Sequence, residues 1–195
     1  MSLSQLTRLI PPPETPVETG SSKRWHQVQE RLGVNLPAEY QSFLNTYGTG
    51  QFSNGIIVYN PFARDDVHNL FQAIEIHHLA SSHVNKISMT DWSIIDPFQL
   101  YPAQGGLLPW GMLIDLKVTF FWNLEEDHEI WPTVVYDLRR GEYEVWKFGF
   151  VDFLLNLLYG EINSVILPKS ITHEIKLLRF RQFQGIQFTS VTKTA

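Results

Sequence analysis

The chain has no cysteine among its 195 residues. Disulfides, thiolate catalysis, cysteine zinc fingers and iron–sulfur clusters are thereby excluded, and the absence fits a reducing compartment. Long apolar runs are missing too. No stretch approaches the roughly 20 apolar residues of a membrane helix. The longest, "FVDFLLNLLYG", carries Asp152 and Asn156 and stops at Gly160. The opening "MSLSQLTRLIPPP" lacks the charged-then-apolar layout of a secretory leader. A cytoplasmic protein without a membrane segment is expected. Two catalytic signatures are absent as well. No G-x-S-x-G elbow occurs, and no glycine loop leads into Lys-Ser/Thr at a helix start.

What is present suffices for a core. Hydrophobic residues make up 44% and aromatics 13%, well above a disordered composition. The length suits one domain that needs no covalent staple. Net charge is −5 but uneven: residues 1–160 hold 10 Lys/Arg against 18 Asp/Glu, a balance of −8, and residues 161–195 hold 5 against 2, a balance of +3. An acidic body disfavours direct nucleic-acid binding and favours basic partners; on charge alone, ordinary solubility is the preferred account.

Residues 11–22, "PPPETPVETGSS", read as a linker, because proline fixes its torsion and removes a donor. A mobile or surface-draped arm over residues 1–20 is expected. "SKRWHQVQERL" then has Trp25, Val28 and Leu32 at helical spacing, a serine cap in front and Gly33 behind. A second helix follows Pro37, with Glu39 in its first turn and a stripe of Tyr40, Phe43, Leu44 and Tyr47. It ends in "GTGQF", where Gly48 supplies a left-handed stop and no packing pattern demands the second glycine. "GIIVYNPF" reads as a strand. A third helix is expected from the capping pair Asp65–Asp66, with Val67, Leu70, Phe71 and Ile74 as its buried stripe.

Strand candidates follow at "LLPWGML", "VTFFWNL", "PTVVYDL" and "YEVWKF", the last two joined by a glycine turn at "RRGE". In the last strand Tyr143 and Val145 alternate with Glu142 and Glu144, as in a half-exposed antiparallel strand. Phe150, Phe153, Leu154, Leu157 and Leu158 mark a closing helix, and another is expected near "HEIKLLRF". Helices, then a meander, then a helix give an α+β single domain: a mostly antiparallel sheet flanked by N-terminal helices and a closing C-terminal helix.

The order of motifs adds to this. Leu36-Pro37-x-x-Tyr40-x-x-Phe43-Leu44-x-x-Tyr47-Gly48-x-Gly50 comes first. Leu108-Pro109-Trp110-Gly111, a strand ending Phe121-Trp122, and Trp131-Pro132-x-Val134-Val135-Tyr136-Asp137 follow in turn. Phe150-x-x-Phe153-Leu154-x-x-Leu157-Leu158-x-Gly160 closes the set. This order resembles the SUKH superfamily of Smi/Knr-type domains over about residues 21–160, leaving 1–20 as an arm and 161–195 as an extension. The resemblance implies a binding module rather than an enzyme, with no cofactor, metal or catalytic residue. Bacterial members look like immunity proteins that neutralise polymorphic toxins by stoichiometric binding, and fungal relatives look like regulators of cell-wall synthesis. A bacterial immunity protein whose partner is a cognate toxin, for which a basic nuclease is one candidate, is the leading expectation. A regulatory scaffold and a hydrolase on an unrecognised site stand as alternatives. The resemblance also makes "GTGQF" the turn into the sheet. Its glycines leave a helix, so it is no phosphate loop.

Partner contacts are sought among charged and exposed residues. Glu125, Glu126, Asp127 and Glu129, with His128 among them, read as a loop between strands. Such a loop is either a solvated turn or a docking surface whose carboxylates mimic phosphates. Asp65 and Asp66 are further electrostatic candidates. Trp92, in the polar "SMTDWSIID", is an anchor candidate against the alternative of local packing. His78 extends the stripe of the third helix and is read as a partly buried, hydrogen-bonded histidine. Neighbours on a helix point apart, so His77 and His78 cannot chelate one metal.

Overall fold

The structure, a computed structural model, describes residues 2–52, 55–87, 99–124, 130–173 and 180–183. Helix α1 spans Leu3–Leu9, α2 Ser22–Leu32 and α3 Ala38–Tyr47. Strands β1 (Gly50–Phe52) and β2 (Ile56–Val58) precede α4 (Leu70–Ile87). The meander β3 (Leu107–Leu113), β4 (Val118–Asn123), β5 (Thr133–Asp137) and β6 (Glu142–Trp146) leads to α5 (Phe150–Tyr159), α6 (Lys169–His173) and β7 (Phe180–Gln182). The seven strands form one sheet in the order β6-β5-β4-β3-β2-β1-β7, and every neighbouring pair is antiparallel. The α+β class read from the sequence is the class observed.

Local chemistry explains the helix ends. The Ser21 side chain accepts from the Arg24 amide, and Gly33 stops α2 at φ 68° in the left-handed region. Helix α5 ends in the same way at Gly160, φ 72°. Helix α4 begins later than the aspartate pair suggests. Asn69 Oδ1 accepts from the amides of Phe71 and Gln72 at 2.9 and 3.2 Å, so Asn69 is the cap. Asp65 instead closes a preceding turn by accepting from the His68 amide at 3.0 Å. Val67 therefore falls outside the helix and is exposed.

The glycines of "GTGQF" are required by packing, contrary to expectation. A Cβ on Gly48 would stand 2.3 Å from the Val17 carbonyl oxygen, and one on Gly50 would stand 2.4 Å from that of Arg181. Gly48 also adopts φ 69°, ψ −156°, an extended positive-φ conformation rather than the left-handed helical stop. Between them Thr49 is fully buried. Its amide donates to Val17 O at 3.1 Å and its carbonyl accepts from the Phe183 amide at 3.0 Å. The turn is the seam where both ends of the chain meet the sheet.

Segments before α2 and after α5 are built into the core. Residues 2–10 are not a draped arm: Leu6 and Ile10 are buried, α1 packs on α3 and α5, and Tyr47 Oη donates to Ile10 O at 2.5 Å. Beyond α5, Ile162, Ile166, Leu167 and Ile171 join the same core. Of the helix expected near "HEIKLLRF", residues 174–179 lie outside the described residues; His173 closes α6 and Phe180 is the first residue of strand β7.

One face of the sheet, with Trp110, Phe120, Trp122 and Val135, packs on α3 and α5 to make the main core. The other face carries a smaller cluster of Leu107, Phe121 and Val134, with His77 of α4 5.0 Å from the Phe121 ring. Strand β6 is half exposed as its alternation suggests, but Tyr143 and Val145 are exposed along with Glu142. Glu144 is the tied residue, accepting from Ser164 Oγ at 2.5 Å and the Val165 amide at 2.7 Å. The "RRGE" turn forms at the buried Asp137, whose Oδ1 accepts from the Arg139 amide at 2.8 Å, with Gly141 at φ 69°.

Two outcomes follow from this packing. Leu6→Ala should lower unfolding free energy by about 2–5 kcal/mol in urea titrations; an unchanged midpoint would place α1 outside the cooperative unit. Burial, aided by the neighbouring His78, pushes the His77 imidazole down to about 4 from its ordinary 6.5. The unfolded chain then takes up the proton first. Stability is complete above pH 6.5 and declines as pH falls toward 4, by up to about 3 kcal/mol. His77→Leu should flatten the pH–stability curve in that window, and a slope as steep as the parent's would show that another group carries it.

Candidate interaction surface

Of the candidate contact residues, Glu125, Glu126, Asp127, Glu129 and Trp92 lie outside the described residues. Asp66 is exposed on the turn before α4. Asp65 is differently employed. Its Oδ1 stands 2.7 Å from His68 Nδ1 as well as accepting from the His68 amide, so its side chain is tied into the turn. His78 is partly buried and its Nε2 bonds the Tyr101 carbonyl at 2.5 Å. His77 is the more buried of the two, facing the sheet rather than solvent. Among the described residues no three His, Asp or Glu side chains gather as metal ligands, and no helix is long and apolar enough to cross a membrane.

Hollows among the described residues include two with contrasting linings. A groove of about 470 Å³ runs between α2 and α3, beside Trp25, Gln29, Gln41 and Ser42. Two of its polar side chains are turned to internal use: Asn45 Oδ1 accepts from the Gly20 amide at 2.9 Å and from Trp25 Nε1 at 3.3 Å, and Gln41 Nε2 donates to Leu36 O at 2.9 Å.

The second hollow, about 370 Å³, opens where the starts of α3 and α5 meet the chain entering β5. Pro37, Ile130, Trp131 and Phe150 wall it, and Glu39 and Asp152 supply its charge. Its geometry grows from a missing cap. Helix α5 begins after Gly149, which has no side chain to satisfy the first amides. Glu39 reaches across from α3 and its Oε1 accepts from the Val151 amide at 3.3 Å. Gly149 leaves the room for this, since a Cβ there would stand 2.7 Å from that same oxygen and 3.1 Å from Ile130. Burial pushes the Glu39 carboxyl above its ordinary value, the Val151 and Phe150 amides pull it back, and the Asp152 charge pushes the same way as burial. Ile130 stands exposed at the rim and Trp131 half-buried behind it. Trp131 in turn packs on the buried Trp122, ring centres 5.8 Å apart.

Sequence reasoning assigned Glu39 to the dipole of its own helix and missed its service to α5. The signal was available: a strongly apolar helix opening on "FGFVD" carries no Ser, Thr, Asp or Asn immediately before it. An acceptor for its first amides must come from elsewhere in the fold.

The family model described as SMI1-KNR4 cell-wall matches residues 22–154, which run from the first residue of α2 into α5. No curated protein and no solved structure matches the chain.

Gly149→Ala should displace the Glu39 carboxylate and strand the first amides of α5, lowering stability by about 1–3 kcal/mol. Thermal denaturation checks this. A melting temperature equal to the parent's would mean that Glu39 is not needed as the cap.

Proposed function

Because the chain belongs to the SMI1-KNR4 cell-wall (SUKH) family, a family of protein-interaction and immunity-type modules, we propose that it is an immunity protein. It neutralises a cognate toxin in the cytoplasm by direct stoichiometric binding, without a cofactor. The observation that carries this reading is the family match across the ordered motifs, set in a body with a charge balance of −8 over residues 1–160. The fold supports it by investing its aromatic motif residues in the core. Tyr40, Phe43, Tyr47, Trp110, Trp122 and Phe150 are all fully buried, so partner choice belongs to the surface around them.

An acidic surface speeds encounter with a basic partner and loses that advantage as salt rises. Glu125, Glu126, Asp127, Glu129 and Asp66 are the proposed steering charges, with Trp92 as an anchor. Asp65, held by His68, contributes less. A regulatory scaffold is the second reading, favoured by the cell-wall description of the matching family.

Growth rescue tests the proposal. The C-terminal domain of the large protein encoded beside this gene is expressed inducibly, with and without this chain. Rescue with a copurifying one-to-one complex is expected. Reversing Glu125 and Glu126 to lysine should slow association at least several-fold at low salt; an unchanged on-rate would remove that loop from the interface. Continued death, or a neighbour that is not toxic, would favour the scaffold.

A further inference from the structure

Three buried polar atoms fall on one line across the sheet. Trp122 of β4 faces Thr133 of β5, and Thr133 faces Trp146 of β6. Residues paired in this way share a face and hold their Cβ atoms about 4.5–5.5 Å apart. The face is that of the main core, to which Trp122 belongs and against which Trp146 packs. Trp122 and Thr133 are fully buried. Trp122 Nε1, Thr133 Oγ1 and Trp146 Nε1 are all shut off from solvent, and none meets a hydrogen-bonding partner in the protein. Elsewhere the core ties up its polar tips: Trp25 Nε1 donates to Asn45 Oδ1, and the Tyr40 and Tyr47 hydroxyls donate to backbone carbonyls. Trp110 Nε1 is also buried without a partner, but the register shift at Trp110 takes it out of the ladder.

A buried polar group left alone is costly, so three in one row call for a common partner. Their chemistry says which. An indole N–H only donates, and a threonine hydroxyl both donates and accepts. The partner must therefore accept from two indoles and donate to one oxygen. A monatomic anion cannot donate, and its charge would stand uncompensated in the core. An apolar guest would leave all three atoms alone. Water has two lone pairs for the indoles and a hydrogen for Thr133. That gives it three bonds, about the usual number for a buried water.

We propose that the row Trp122–Thr133–Trp146 is a binding site for one internal water, which accepts from both indole N–H groups and donates to Thr133 Oγ1. The site joins three consecutive strands through their side chains, in addition to the backbone ladder. Strand β6 lies at one end of the sheet, and the water ties it through Thr133 to the fully buried Trp122. The inference stands apart from the reading of the chain as an immunity protein.

The test reads solvent at the two indoles. Water-selective NOE spectra of the isotope-labelled full chain should show a contact with long-lived water at the Nε1–H of both Trp122 and Trp146. Thr133→Val keeps the branched shape and suits a strand, but it has no oxygen for the water. It should abolish the contact and lower the melting temperature by about 3 °C or more. Thr133→Ser keeps the hydroxyl and should keep the contact. The sign of the valine effect is decisive, because a hydroxyl with no partner is better replaced by a methyl group. A melting temperature of Thr133→Val at or above the parent's would overturn the proposal, and so would the lack of a water contact at either indole. A crystal structure of the parent chain needs no variant and serves even where Thr133→Val does not fold. One density peak within about 2.7–3.2 Å of all three atoms is expected; a well-ordered row without that peak means that no water is bound.

Discussion

Phe150 is the ring on which the others lean. Its centre lies 5.0–5.3 Å from those of Trp110, Tyr40 and Phe43, each nearly edge-on, and 6.4 Å from Trp122. These rings come from α3, β3 and β4, so one side chain on α5 joins the helical layer to the sheet. Edge-to-face pairs add about 0.5–1.5 kcal/mol each beyond area burial. The geometry also fixes the height at which α5 enters. That height sets where its first amides point, and hence where Glu39 must reach. The candidate interaction surface is thus not an ornament on the fold. Phe150 forms its floor and the core decides its shape.

The same economy appears in Tyr40 and Tyr47. Each is fully buried with its ring in the aromatic core and its hydroxyl donated to a backbone carbonyl, Tyr59 for one and Ile10 for the other. Burial pushes both phenols up, so they keep the protons they donate. An aromatic motif on one face of α3 therefore fastens two further segments of chain, the start of the loop after β2 and the end of α1.

Much of this was legible from residue order. Helix α2 lies where Trp25, Val28 and Leu32 placed it, with its serine cap and glycine stop, because amphipathic spacing and capping are local. The meander β3–β6 was legible for the same reason, each strand being bounded by its own turn chemistry. What failed was non-local. Proline-rich residues 11–19 look like a tether until Val17 is found against Gly48, and that contact spans two segments with no shared pattern. Strand β7 was not legible as a strand because only its pairing with β1 makes it one. The candidate pocket was invisible for a related reason. Its two carboxylates are 113 positions apart, and neither belongs to a recognisable motif. Trp131 was legible as an aromatic of a strand motif but not as a wall.

The pairing of β7 with β1 has a consequence for how the chain acquires its shape. Gly50 faces Gln182 across that ladder, so the last strand docks on one made some 130 residues earlier. During synthesis the ribosome releases α2, α3 and the whole meander first. Through that interval the outer edge of β1 has only water for its amides and carbonyls. Contacts of such sequence separation form late and slowly, and an unpaired edge recruits other chains. Nascent molecules stalled before residue 180 present β1 as an open edge. Completing the sheet moves the open edge from β1 to the three-residue β7.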